Sequence, residues 1–327
     1  MKKLPTSYHN ILNNARAHQT KIIALIGPTA SGKSELAVQI AKEFNGEIIS
    51  ADSRQIYRGL DIGSTRVPGK WQRVGSDPPK EGQTLQRFIY KTIPHHCLDF
   101  VSPEKTYTVA EFKKRAECAI KKIIGRGKTP IIVGGTGLWV DTLVYDMSLP
   151  EVPPNKRLRK NLSSKNMLEL LAILKKLDPN RARNVDAQNP RRLIRAIEVA
   201  RALGKVPLLK KQSPYRALWL GLNPPPNILD KRIRDRARKM IQKGIIKEAK
   251  KLLTQGVPRS RLQEFGFEYR AALDYIDQKI TKDELYARLV RDTLRYAKRQ
   301  MRWFKRNPEI HWITKLPVRS IKEFLNT

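Results

Sequence analysis

Residues Gly27-Pro28-Thr29-Ala30-Ser31-Gly32-Lys33-Ser34 satisfy the spacing G-x-x-x-x-G-K-[ST] of a phosphate-binding loop. An apolar run, Ile22 to Ile26, precedes the loop, and a helical pattern from Glu35 to Phe44 follows it. Glycines let backbone N–H groups curl around phosphate oxygens, and the following helix aims its positive dipole end at the same anion. Lys33 adds a point charge, and the Ser34 hydroxyl is suited to Mg²⁺. This chemistry binds a di- or triphosphate. The motif alone does not say which one, or what is done to it.

A second chemical position is Asp52, just past the short apolar segment Gly46 to Ser50. A carboxylate there has two jobs open to it: holding Mg²⁺ through water, or accepting a proton from a substrate. The competing reading is a turn-capping Asp. A third is Gly134-Gly135-Thr136, which ends the run Pro130 to Val133. Its glycines permit close backbone approach to a ligand, and Thr136 offers a hydroxyl; a plain strand-to-helix turn explains it equally well. No acidic residue ends this run, where a nucleoside triphosphatase would place an Asp to organise Mg²⁺ and water. His95, His96 and Cys97 are adjacent and have no partner cluster in the sequence, so a structural role is expected rather than a metal site. Arg232 and Arg236, four apart on an arginine-rich helix, share a face, and one or both could reach a diphosphate. Arg191-Arg192-Leu193-Ile194-Arg195 offers a grip on nucleic-acid phosphates or an ordinary solvated face. Phe265-Gly266-Phe267-Glu268-Tyr269-Arg270 offers a stacking platform for a base or a core anchor.

The elements that must position these groups read as strands at 21–26, 46–50, 130–134 and 217–222, alternating with helices such as 108–125. That alternation predicts an α/β fold, a parallel sheet flanked by helices. Ligands in such sheets sit at the carboxyl ends of strands, which puts the loop, Asp52 and Thr136 at one edge. Residues 94–99 read as a short extended piece, and 66–91 as a surface loop without chemistry. Composition shifts near Leu149-Pro150, and the stretch to about Leu209 reads as helical and basic. The expected organisation is 1–149 and 211–327 as one core, with 150–210 inserted as a helical subdomain. Three helices are expected at 227–255, 259–277 and 281–306, and a last strand within 309–314. Thr281-Lys282-Asp283-Glu284 opens the last helix as a capping box. Tyr286, Val290, Leu294, Ala297, Met301 and Phe304 form its apolar stripe, and Arg288, Arg291, Arg295, Arg299, Arg302 and Arg306 a basic one.

The 327 residues carry 65 Lys and Arg against 30 Asp and Glu, a net charge of +35. The excess is +9 over residues 1–150, +11 over 151–215 and +13 over 227–306. A polyanion larger than a nucleotide, with nucleic acid foremost, is the expected partner. No apolar run approaches the roughly 18 residues of a membrane span. Two cysteines and no apolar signal core fit a cytoplasmic protein. No surplus apolar stripe is visible, so a monomer is expected.

Taken together, these residues resemble the tRNA dimethylallyltransferase family. The resemblance is carried by Gly27 to Ser34, by Asp52-Ser53-Arg54-Gln55-Ile56-Tyr57-Arg58-Gly59-Leu60-Asp61-Ile62-Gly63, by Pro94-His95-His96 through Leu98-Asp99, by Gly134-Gly135-Thr136, by Asn189-Pro190-Arg191-Arg192-Leu193, and by Ala297-Lys298-Arg299-Gln300 with Trp303. It spans roughly residues 21–314, and the 66–91 segment is longer than the family's usual link. The resemblance implies a P-loop NTPase-like sheet and transfer of a dimethylallyl group from dimethylallyl diphosphate to N6 of adenosine 37 in a tRNA anticodon stem-loop. The products are N6-(dimethylallyl)adenosine and diphosphate, Mg²⁺ assists, and no ATP is consumed. It implies catalytic roles for Asp52 (the base), Thr136 and Lys33. The loop from Gly27, Pro28, Thr29, Ala30, Ser31 and Gly32 to Lys33 and Ser34 would hold diphosphate together with Arg232 or Arg236, and Ser34 would hold the metal. Contacts to tRNA would come from Asp52, Ser53, Arg54, Gln55, Arg191, Arg192, Leu193, Ile194, Arg195, Gly266, Arg295, Lys298, Arg299 and Gln300.

Overall fold

A computed structural model describes residues 19–73, 86–207 and 213–327. The strands in chain order are β1 (Thr20–Ile26), β2 (Gly46–Ser50), β3 (Lys70–Arg73), β4 (Gln86–Tyr90), β5 (Ile93–His96), β6 (Thr129–Gly134), β7 (Tyr215–Leu222) and β8 (His311–Ile313). They form one sheet in the order β3-β4-β5-β2-β6-β1-β7-β8. The pairings from β5 through to β8 are parallel, whereas β3–β4 and β4–β5 are antiparallel. Helices α1 (Lys33–Glu43), α2 (Val109–Ile124) and α3 (Gly137–Val144) follow β1, β5 and β6 in the chain.

The continuous apolar run of β1 reflects burial on both faces, as parallel strands between helical layers require. Ile22, Ala24 and Ile26 point into a larger core shared with α2 and α3, and Ile23 and Leu25 into a smaller one against α1. Register fixes the working edge: Ile26 stands beside Gly134, and Ser50 beside Val133. β1, β6 and β2 therefore end at one level, so the loops after them emerge side by side.

Residues 147–212 form a compact unit of their own. It contains α4 (Lys156–Ser163), α5 (Met167–Leu177), α6 (Pro179–Asn184) and α7 (Pro190–Leu203). Leu162, Leu170, Leu174, Leu193, Ala196, Ile197 and Ala200 make its core. Inside this unit Glu198, 2% exposed, accepts from Asn155 N at 2.6 Å and pairs with Arg159 at 2.7 Å and Arg195 at 2.5 Å. Asn155, Asn166, Asp178 and Asn189 each cap the start of a helix through a side-chain oxygen.

The C-terminal part of the larger unit contains α8 (Pro226–Lys243), α9 (Ile245–Thr254), α10 (Arg259–Glu264), α11 (Phe267–Ile276), α12 (Lys282–Phe304) and α13 (Val318–Asn326). The single helix expected at 227–255 breaks at Gly244, which takes a left-handed φ of 97°. The one expected at 259–277 breaks at Phe265-Gly266. The capping box at Thr281 forms as expected. The buried face of α12 is Leu285, Leu289, Val290, Thr293, Ala297, Gln300 and Phe304; of the expected apolar stripe, Val290, Ala297 and Phe304 are buried, and Tyr286 and Leu294 pack half-buried against the same core. The 66–91 segment is corrected from loop to two edge strands, β3 and β4, where Trp71 packs edge-on against Phe88; residues 74–85 of it lie outside the described residues.

Glu47, at the start of β2, is fully buried. His96 Nε2 lies at 2.7 Å, Arg126 at 2.6 Å and Lys128 at 3.2 Å from its carboxylate. Burial alone would raise its pKa, but the hydrogen bonds from His96 and Arg126 win and hold it at about 2. Its stabilising contribution is complete above the unfolded-state value and disappears as pH falls from there through about 2. Glu47→Gln is expected to remove about 3 kcal/mol of that acid-sensitive stability. Urea unfolding should show a smaller loss for the variant than for the wild-type chain between neutral and strongly acidic pH.

Candidate active site

The phosphate loop leaves β1 at Gly27, whose φ is 148° and whose missing Cβ would lie 2.6 Å from the Leu222 carbonyl, so only glycine fits. Gly27 and Pro28 are buried behind the loop, while Thr29 to Ser34 line a cavity of about 690 Å³. Asp52, Arg54, Gln55, Gly134, Gly135, Arg232, Arg236, Tyr296 and Gln300 line the same cavity. The close approach of the β2 and β6 ends depends on Gly134, where a Cβ would run into the Ala51 carbonyl.

Both arginines of α8 reach the loop. Arg232 Nη1 donates to Ser31 O at 2.9 Å, and Arg236 Nη1 donates to Thr29 Oγ1 at 2.7 Å while its other nitrogen meets Thr65 Oγ1. The four-residue spacing on one helical face brings this about. Lys33 Nζ donates to Pro28 O at 2.6 Å. Burial first, then the Arg236 charge, push the Lys33 pKa down to about 7, with Asp52 opposing. Burial likewise lowers Arg236 to about 10. Cations crowded in a low-dielectric cleft favour an anion that can neutralise them.

On the facing side, Asp52 Oδ1 accepts from Arg54 N at 3.0 Å, and Thr136 Oγ1 accepts from Ser53 N at 3.3 Å. Asp52 thus does make the turn contact that the plainer reading required, yet it also faces the cavity. Arg54 Nη1 bonds Glu268 at 2.6 Å and lies over the Tyr296 ring, 5.7 Å from its centroid. Tyr296 lines the same cavity, and burial above all raises its pKa. Gln55 Oε1 accepts from Ser50 Oγ at 3.3 Å. The loop behind, at 61–63, is held by Glu248, which accepts from the N–H groups of Asp61, Ile62 and Gly63 at 2.9, 2.7 and 2.9 Å and from Tyr269 OH at 2.7 Å.

Some of the residues expected to touch RNA are placed otherwise. Leu193 is completely buried in the core of its own unit, so its side chain is a packing group and not an RNA contact. Ile194 packs against the same core. Arg195 is tied to Val152 O at 2.9 Å and to Glu198, while Arg191 and Arg192 are exposed. Gln300 is only 6% exposed and bonds backbone groups inside the larger unit. Arg295, Lys298 and Arg299 are exposed on α12. Gly266 has a φ of 135° beside Glu268 and Arg54. Phe265 is a core anchor, 4% exposed and 4.8 Å from the Tyr57 ring. His96 serves Glu47, and His95 is buried with Nδ1 2.9 Å from Ile93 O.

Tyr296 and Glu268 fall within stretches that the sequence points to, 293–300 and 265–270, but not as individual side chains; Tyr296, Gln300 and Trp303 recur at helical spacing, one face of α12. Thr65 has no sequence signal, because its partner Arg236 is far away in the chain.

The family model described as IPP transferase matches residues 55–307, and one described as isopentenyl transferase matches residues 20–71. A tRNA dimethylallyltransferase of Carboxydothermus hydrogenoformans is 40% identical over 304 residues, covering 89% of this chain and 91% of that protein. One of Anoxybacillus flavithermus is 37% identical over 298 residues, covering 89% of each. The solved structure of a full-length tRNA isopentenylpyrophosphate transferase from Bacillus halodurans matches with a TM-score of 0.65 at 31% identity, over 94% of this chain and 95% of that one. A eukaryotic dimethylallyltransferase solved acting on tRNA matches with a TM-score of 0.75 at 25% identity, over 94% of this chain and 80% of that one. The parallel sheet, its phosphate loop and these matches over nearly the whole length agree: the chain belongs to the IPP transferase family, the tRNA dimethylallyltransferases.

Proposed function

We propose that this protein transfers a dimethylallyl group from dimethylallyl diphosphate to N6 of an adenosine in a tRNA anticodon loop, at position 37. The observation that carries the proposal is one cavity with an anion cradle on one wall and a carboxylate on the other. Lys33, Arg232, Arg236 and the loop amides stabilise negative charge where the diphosphate leaves. Asp52 takes the N6 proton as nitrogen attacks the allylic carbon, and Thr136, held by Ser53 N, places the amine. The carbon–oxygen bond to diphosphate breaks as the carbon–nitrogen bond forms.

Mg²⁺ fits this donor set in one respect: Ser34 is an exposed hydroxyl at the start of α1, a hard oxygen facing the cavity. No group of three acidic, His or Cys side chains suited to a metal occurs among the described residues, so Ser34 would share the ion with substrate oxygens and water. Bound there, the ion supplies further neutralisation of the leaving group.

The tRNA is recognised through exposed cations, with Arg295, Lys298 and Arg299 on α12 and Arg191 and Arg192 on α7 as contacts. Arg54, already paired with Glu268, positions the flipped nucleotide's surroundings rather than offering a free charge. The protein works as a monomer in the cytoplasm.

Three outcomes test this reading. Labelled dimethylallyl diphosphate should pass its label to tRNA without ATP; label entering free AMP and not tRNA would overturn it. Asp52→Ala should lower turnover by at least about 100-fold while tRNA affinity, read by filter binding, stays near that of the wild-type chain. Near-normal turnover would remove Asp52 from the role of base. Lys33 should take up a proton when diphosphate binds, because an anion beside it reverses the depression to about 7. Calorimetry in buffers of different ionisation enthalpy should show uptake approaching one proton near about pH 8, fading towards about pH 6, where Lys33 is already charged.

A further inference from the structure

Gln300 is a buried amide that bonds two loops at once. Its Oε1 accepts from Thr29 N in the phosphate loop at 2.8 Å, and its Nε2 donates to Gly135 O at the end of β6 at 2.8 Å. A Cβ on Gly135 would collide with that Nε2, so glycine there is what lets the amide in. Both hydrogen-bonding ends are used on backbone groups, and 6% exposure leaves little for solvent or RNA.

The neighbours of Gln300 on α12 extend the same contact. Tyr296, one turn earlier, lines the same cavity and lies under the Arg299 guanidinium. Trp303, one turn later, donates to Asp141 Oδ2 at 2.9 Å and lies where a Cβ on Gly137 would stand. One helical face therefore meets both Gly135 and Gly137, and Gln300 on it also reaches the phosphate loop. Arg295 and Lys298 are exposed away from that face.

We infer that Gln300 is a positioning residue for the transfer reaction: by bridging Thr29 N and Gly135 O it fixes the distance between the diphosphate cradle and the Thr136 side that places the attacking amine. It touches no reacting atom. It acts by holding the leaving group and the nucleophile in one frame, and displaced reacting groups cost rate steeply even when both substrates still bind. The inference rests on the prenyl-transfer reading above.

The test is Gln300→Met, close in length and free of both hydrogen bonds, with Gln300→Ala as a second variant. For Gln300→Met, kcat is expected to fall about 10- to 100-fold, with KM for dimethylallyl diphosphate and Kd for tRNA each changed by no more than about threefold. Loss of tRNA affinity with kcat preserved would make Gln300 an RNA contact and overturn the inference. Unchanged kcat in a folded Gln300→Met would overturn it too. If Met does not fold, Gln300→Ala is read by the same split between kcat and KM. A wild-type chain that transfers no label to tRNA would overturn the prenyl-transfer reading, and this inference with it; an active wild type beside an equally active Gln300→Met overturns this inference alone.

Discussion

The register of three parallel strands is the constraint on which the site depends. β1, β6 and β2 are paired so that Ile26, Gly134 and Ser50 end at one level. Everything that follows them in the chain, the phosphate loop, Gly135-Thr136 and Asp52, then has to emerge at the same edge. A slip of one residue in any of the three would turn its apolar side chains to the wrong core and move its loop by about 3.3 Å. The two cores on either side of β1 prevent that slip, because Ile22, Ala24 and Ile26 fill one and Ile23 and Leu25 the other. Hydrophobic packing is thus what sets the spacing of polar groups.

Around that edge the charges are arranged unequally. The cradle side holds Lys33, Arg232 and Arg236 around one cavity, and burial first, then the Arg236 charge, depresses Lys33. Such a cluster is costly when no anion is near, and loses that cost on contact with one. The facing side is different: there Arg54 is paired with Glu268 at 2.6 Å, and Asp52 is the carboxylate that faces the cavity. A cleft with positive charge on one wall and a neutralised carboxylate network on the other favours a reaction in which negative charge builds on the leaving group and a proton departs from the nucleophile.

Much of this was legible in the chain. The phosphate loop declares itself by spacing, and continuous apolar runs mark β1 and β6 because parallel strands are buried on both faces. The arginines at 232 and 236 were visible as a pair, and the structure uses both, where the sequence left the choice open. The helical breaks at Gly244 and Gly266 were less legible, since an amphipathic pattern continues across them and the break lies in a backbone angle. β3 was hidden by its polar, exposed character: an edge strand lacks the apolar run that announces a central one. β4 beside it buries only Phe88 fully, too short an apolar signal to stand out. Leu193 and Gln300 were misread for a shared reason. A basic or polar stretch looks like a surface when read as a block, whereas a helix turns every third or fourth residue inward.

That helical alternation explains why α12 is built as it is. A residue on its outer face meets solvent, and residues half a turn away meet the loops after β1 and β6. A purely apolar inner face would have packed equally well against the sheet, but it would have left Thr29 N and Gly135 O without partners in a buried place, at a cost of roughly 1–3 kcal/mol each. The amide of Gln300 satisfies both loops and at the same time gives them a fixed geometry, which apolar contacts, being non-directional, do not supply. The same helix therefore presents cations to solvent and directed hydrogen bonds to the ends of β1 and β6.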